Sequence, residues 1–157
     1  MPHIHEKIDF CVEVFIVYKD KVLLRKHDKY KYWLSVGGHI ELDEGPVQAA
    51  LREVKEEIGL DVVIVPTRET LEMEPDRYEH IVAPAFMNKH AISETHSHVT
   101  FVYFAKAESD VVVEGVPREI SGGCFWFSAD EVESIDVNIS ETVKHYAIKA
   151  IEFVNKE

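Results

Sequence analysis

Glu53, Glu56 and Glu57 stand three and four residues apart in a segment whose apolar residues repeat with a helical period. With Glu53 as the zero of a helical wheel, Glu57 falls about 40° to one side and Glu56 about 60° to the other. Three carboxylates therefore share one face, beside the apolar stripe rather than opposite it. Like charges at these spacings cost roughly a few tenths of a kcal/mol each, and more where partly desolvated. A hard divalent cation removes that cost. Carboxylate oxygens suit Mg²⁺ or Mn²⁺, which fill their remaining positions with water and substrate phosphate oxygens. Taken alone, the same helix reads more often as a solvated acidic face with Arg52 and Lys55 as neighbours.

The helix that must present these groups spans residues 46–58, where Val47, Ala50, Leu51, Val54 and Ile58 form one stripe. Pro46 suits its first turn, and Gly59 suits the left-handed position just past its end. Before it, residues 10–18 and 21–26 read as a hairpin about Lys19-Asp20, and residues 32–40 as an extended segment interrupted by Gly37-Gly38. After it, residues 60–65, 69–73, 81–87, 99–107 and 124–127 read as strands, followed by helices at 129–134 and 140–155. Strands with helices inserted early and late predict an α/β or mixed α+β architecture in which helices cover a sheet.

The stretch from Gly37 onward reads GGHIELDEGPVQAALREVKEEIGL. Gly38, Glu44, Arg52-Glu53, Glu56-Glu57 and Gly59 match every fixed position of a known signature, and over residues 38–60 the chain resembles the Nudix (MutT-like) hydrolase family. The resemblance implies a Nudix-type α/β/α sandwich with a mixed β-sheet and a loop-helix-loop metal site, here as a single domain over residues 1–157. It implies Glu53, Glu56 and Glu57 as metal ligands together with a backbone carbonyl at Gly37 or Gly38. Arg52 would brace loop and helix by pairing with a box carboxylate, and Glu44 would support the ligands from behind. The cofactor implied is Mg²⁺, with Mn²⁺ able to substitute. Val36 and Asp43 depart from common residues of the family at positions the signature does not fix.

The activity implied is pyrophosphohydrolysis: water displaces a leaving group at phosphorus in a nucleoside diphosphate-linked small molecule, such as a nucleoside triphosphate, nucleotide sugar or dinucleotide. The general base comes from the box or from a later loop, for which Glu119 is the candidate beside Arg118. Two competing functions are a nucleotide-metabolite binding or sensor module without turnover and, more weakly, an isopentenyl diphosphate isomerase-like activity. Retention of every box carboxylate argues against both.

With 29 acidic against 17 basic residues, the chain carries a formal charge of -12, which opposes nucleic-acid binding. Its 157 residues suffice for one core, and neither a membrane span nor a signal peptide is read, so a cytoplasmic location is expected, with a homodimer left open. Cys11 and Cys124 lack metal or redox spacing and read as small buried hydrophobes. Among nine histidines, His96 and His98 alternate ahead of a strand and are candidates for substrate contact or a polar loop end; as two ligands they do not define a zinc site. His39 follows the paired glycines and is a candidate for facing the diphosphate, as Arg25 is for phosphate or ribose. Trp33, Tyr30, Tyr32, Tyr78 and Phe86 are candidate base platforms. Pro75 and Tyr78 give conflicting substrate cues.

Overall fold

The first strand, β1 (Ile8–Tyr18), is apolar along most of its length because both of its faces are covered. Val12, Val14 and Ile16 face one layer, and Phe15 and Val17 face the other. The computed structural model describes residues 3–27, 31–74, 76–113 and 121–156. Within them β2 (Lys21–His27) returns antiparallel to β1 across the Lys19-Asp20 turn, where Lys19 adopts φ 55°. The extended segment at 32–40 resolves into two short strands, β3 (Trp33–Leu34) and β4 (Val36–His39). The glycine pair does not interrupt β4 but lies inside it, paired to β1 through Glu13↔Gly37 and Val12↔Gly38.

Helix α1 (Pro46–Ile58) ends at Gly59, which takes φ 71° and donates its N–H to the Lys55 carbonyl. Then follow β5 (Val62–Val65), β6 (Phe86–Ala91), β7 (Ser97–Ala107), β8 (Ser121–Ser128), α2 (Ala129–Ser134) and α3 (Glu141–Asn155). Among the described residues eight strands form one mixed sheet. β7 runs parallel to β1 in unbroken register from Ile8↔Ser97 to Val17↔Lys106. The other edge of β1 is divided between β4 and β2, and the other edge of β7 between β6 and β5. Residues 69–73 form no strand, and of the run expected at 81–87 only its last two residues join β6. With both edges of β7 occupied, an apolar, β-branched stretch between β5 and β6 has no ladder to join.

α1 lies on one face of the sheet over Val12, Val14, Ile16 and Tyr103. α3, with Val132 of α2, covers the other face over Phe15, Val22, Leu24 and Phe104. The result is the mixed-sheet sandwich expected from the sequence. Among the described residues no helix is long and apolar enough to cross a membrane.

Candidate active site

Close packing of α1 onto β4 is what brings the acidic helix to the glycine pair. A Cβ at Gly37 would strike the Val12 carbonyl oxygen, and one at Gly38 would overlap the Glu53 carboxylate. The missing side chain at Gly38 thus leaves a cradle that the Glu53 head group fills, and Glu53 is only 6% exposed. The stripe on α1 differs accordingly from the one the sequence suggests. Leu51 is 39% exposed, while Ala49 and Glu53 are buried with Ala50, Val54 and Ile58.

Arg52 is the hub of the site. Its Nε and Nη2 donate to the two oxygens of Glu44 at 3.0 and 2.5 Å, and Nη2 also donates to the His39 carbonyl at 3.0 Å. Nη1 donates to Glu53 at 3.0 Å and to Glu56 at 3.2 Å. The two hydrogen bonds from Arg52 hold Glu44 below the usual carboxylate range. Burial pushes Glu53 the other way in spite of Arg52, and the charges of Glu56 and Glu44 add to the rise. Glu57 accepts from the Gly37 N–H at 3.4 Å and lies 3.4 Å from Arg25 Nη1. Arg25 Nε has no hydrogen-bond partner among the described residues. The arrangement gathers Glu44, Glu53, Glu56 and Glu57 around two guanidinium groups, an excess of negative charge in a half-buried setting.

His39, His96 and His98 are brought together, but on the opposite face of β4 from Glu53, around a buried acid. Asp9 is 0% exposed. Its carboxylate accepts from the His5 N–H at 2.6 Å and the Ile4 N–H at 3.2 Å. The same carboxylate lies 3.0 Å from His39 Nε2, 3.2 Å from His3 Nδ1 and 3.3 Å from His96 Nε2. His98 is paired to Asp9 across the β1–β7 ladder, and its ring centroid is 4.9 Å from that of His39 and 5.4 Å from that of His96. Burial, then the neighbouring His39, His90 and His96, press His98 down to about 4.

Sequence reasoning passed over Asp9, His3 and Glu13. Glu13 is an acid inside an apolar strand, and burial pushes its carboxyl up to about 7. An acid in the middle of a run otherwise buried on both faces was the available signal for it. Of the aromatic candidates, Trp33 packs edge-on against Phe125 and Phe127, and Phe86 stacks on Tyr146. Tyr78 is exposed beside Arg77, in an open groove that Leu71 and Met73 also line. Glu119, Arg118, Tyr30 and Pro75 lie outside the described residues.

Residues 10–146 match the family model described as the NUDIX domain. The chain belongs to the Nudix family. A crystal structure of a NUDIX family hydrolase from Clostridium perfringens superposes with a TM-score of 0.79 at 32% identity, covering 93% of this chain and 97% of that one. An m7GpppN-mRNA hydrolase of Danio rerio is 29% identical over 115 residues, 66% of this chain and 34% of its own length. A dihydroneopterin triphosphate diphosphatase of Escherichia coli (strain K12) is 39% identical over 61 residues, 36% of this chain and 41% of its own. The matched stretches thus span less than half the length of these curated relatives.

Nudix hydrolases generally use divalent metals, and the residues present here fit one. The donor set is hard carboxylate oxygen, the atoms nearest the Gly38 cradle are those of the Glu53 carboxylate, and burial together with its acidic neighbours disfavours the Glu53 charge, a strain that a cation would relieve.

Proposed function

We propose that this Nudix chain, as a single domain over residues 1–157, is a pyrophosphohydrolase. It would cleave a phosphoanhydride bond in a nucleoside diphosphate-linked small molecule with Mg²⁺, for which Mn²⁺ can substitute. The observation that carries the reading is Glu53 buried against Gly38, with Glu56 and Glu57 on the same helix and Arg52 joining Glu53 and Glu56 to the loop. Glu53, Glu56, Glu57 and the Gly38 carbonyl would hold the ion. When bound, it supplies positive charge to the diphosphate and lowers the pKa of a water.

The chain's own groups do the rest. Arg52 fixes the rotamers of Glu44, Glu53 and Glu56 and ties the helix to the His39 carbonyl, so the acids are held in place before substrate arrives. Arg25, beside Glu57, is the proposed contact to a diphosphate oxygen. The proton from water passes to a carboxylate, either one in the box or Glu119. The names of two relatives, a diphosphatase of a triphosphate and a hydrolase of a capped mRNA, favour a phosphoanhydride as the bond cut.

The test is a panel of nucleoside triphosphates, nucleotide sugars and dinucleotides with Mg²⁺ or Mn²⁺, with products identified by mass spectrometry. At least one substrate should turn over, and Glu57→Gln should lower that turnover by roughly 100-fold or more without loss of fold. If a ligand raises the melting temperature but nothing is consumed, the chain is a binding module instead.

A further inference from the structure

We propose that Asp9, His3, His96 and His98 form a second, structural metal site, separate from the acidic helix and selective for a zinc-type divalent transition ion. One ligand atom from each of these four residues lies within 4.8 Å of every other. In a tetrahedral site with bonds of about 2.0–2.1 Å, ligand atoms sit roughly 3.3 Å apart. The separations from Asp9 Oδ2 to His3 Nδ1 and His96 Nε2 are 3.2 and 3.3 Å.

The tautomer of His96 makes the argument sharper. Its Nδ1 lies 3.0 Å from the Glu6 carbonyl, which only accepts, so Nδ1 carries the proton and, in the neutral ring, Nε2 carries a lone pair. That lone pair faces a carboxylate oxygen, and His96 Nε2 makes no aligned hydrogen bond among the described residues. Two lone pairs opposed in a buried place repel each other, and a cation between them turns repulsion into coordination. His98 Nε2 is likewise buried without a hydrogen-bond partner among the described residues.

The surroundings resemble those of a built metal site. The His96 Nδ1–Glu6 and Asp9–His5 hydrogen bonds fix the orientation of ligands from behind, as the outer groups around metal ligands do. Burial works against the Asp9 charge, but the His5 and Ile4 N–H groups and the nearby His39 hold its carboxyl at about 2. Three stretches of chain would be joined: the opening segment through His3, β1 through Asp9, and the entry to β7 through His96, just before the strand, and His98 within it. Asp9 Oδ2 also touches His39, the neighbour of Gly38, so the ion would sit directly behind the strand that cradles Glu53.

Purified protein, stripped and reloaded with Zn²⁺ or Co²⁺ alone, tests the proposal. One equivalent of Co²⁺ should give the strong visible absorption of a four-coordinate ion. X-ray absorption on the zinc form of the unaltered protein should count histidine nitrogens in the shell. Glu57→Gln should keep this site, whereas Asp9→Asn and His96→Gln should lower Zn²⁺ affinity at least about 100-fold, beyond the loss of an outer group. Pale six-coordinate cobalt that disappears in Glu57→Gln would place the ion on the acidic helix and overturn the proposal. So would a zinc shell without histidine, or unchanged affinity in both variants. A thiolate-to-cobalt absorption band would put the ion on Cys11, His39 and His98 and overturn this ligand set.

Discussion

One guanidinium holding Glu44 on two nitrogens, and Glu53 and Glu56 on a third, has no substitute among the other cations. Lysine keeps the charge of Arg52 but offers a point donor on a flexible stem in place of a planar fork. Arg52→Lys should therefore release Glu44 or the Glu53–Glu56 pair, lowering stability by about 1–3 kcal/mol in urea titration and activity by about 10-fold or more. Unchanged stability and rate would remove Arg52 from the centre of the site. Glu13 supplies a pH dependence of opposite cause. Burial raises its carboxyl from 4.5 to about 7, so the folded chain binds more protons than the unfolded one between these values. Stability from this group is full below the unfolded value and is lost as pH rises through the folded one. Glu13→Gln should accordingly stabilise the protein at pH 8 by at most about 3 kcal/mol, with the gain fading towards about pH 4.5. Equal gains at every pH would assign the effect to packing rather than to charge.

At the scale of elements, caps are the most local and the most testable features. The Ser140 hydroxyl accepts from the Val143 N–H at 3.1 Å at the start of α3, so Ser140→Ala should cost about 1 kcal/mol in denaturant unfolding. No change in the unfolding midpoint would show that the cap contributes nothing. The same locality explains what the sequence discloses. Pro46 and Gly59 punctuate α1 at both ends, so its bounds, and the spacing of Glu53, Glu56 and Glu57, are readable from short-range rules. Strand propensity alone misleads at residues 69–73, because a strand also needs a free edge. Hydropathy would bury Leu51 and expose Glu53, and the reverse holds because Gly38, fifteen residues upstream, makes room for a carboxylate. The Asp9 cluster is less legible still. His39, Asp9 and His98 meet only through the registers of β4 with β1 and of β1 with β7, which no local pattern encodes.

For the molecule as a whole, a formal charge of -12 means that folding gathers like charges into a small volume. Sodium chloride screens that repulsion, so raising it from about 0.02 to 0.3 M should lift the melting temperature by a few degrees. A fall instead would show that attractive pairs such as those of Arg52 dominate the balance. The parallel ladder of β1 with β7 carries a different consequence, in time rather than in energy. Ile8 leaves the ribosome well before its partner Ser97, which emerges only after α1, β5 and β6 have been made. Until then β1 has β2 and β4 along one edge and an open, apolar edge along the other, the kind of surface on which nascent chains associate wrongly. Closing so distant a pairing is slow for reasons of chain entropy. Among the described strands, the one that frames the sheet is thus synthesised before the others and is among the last to be completed.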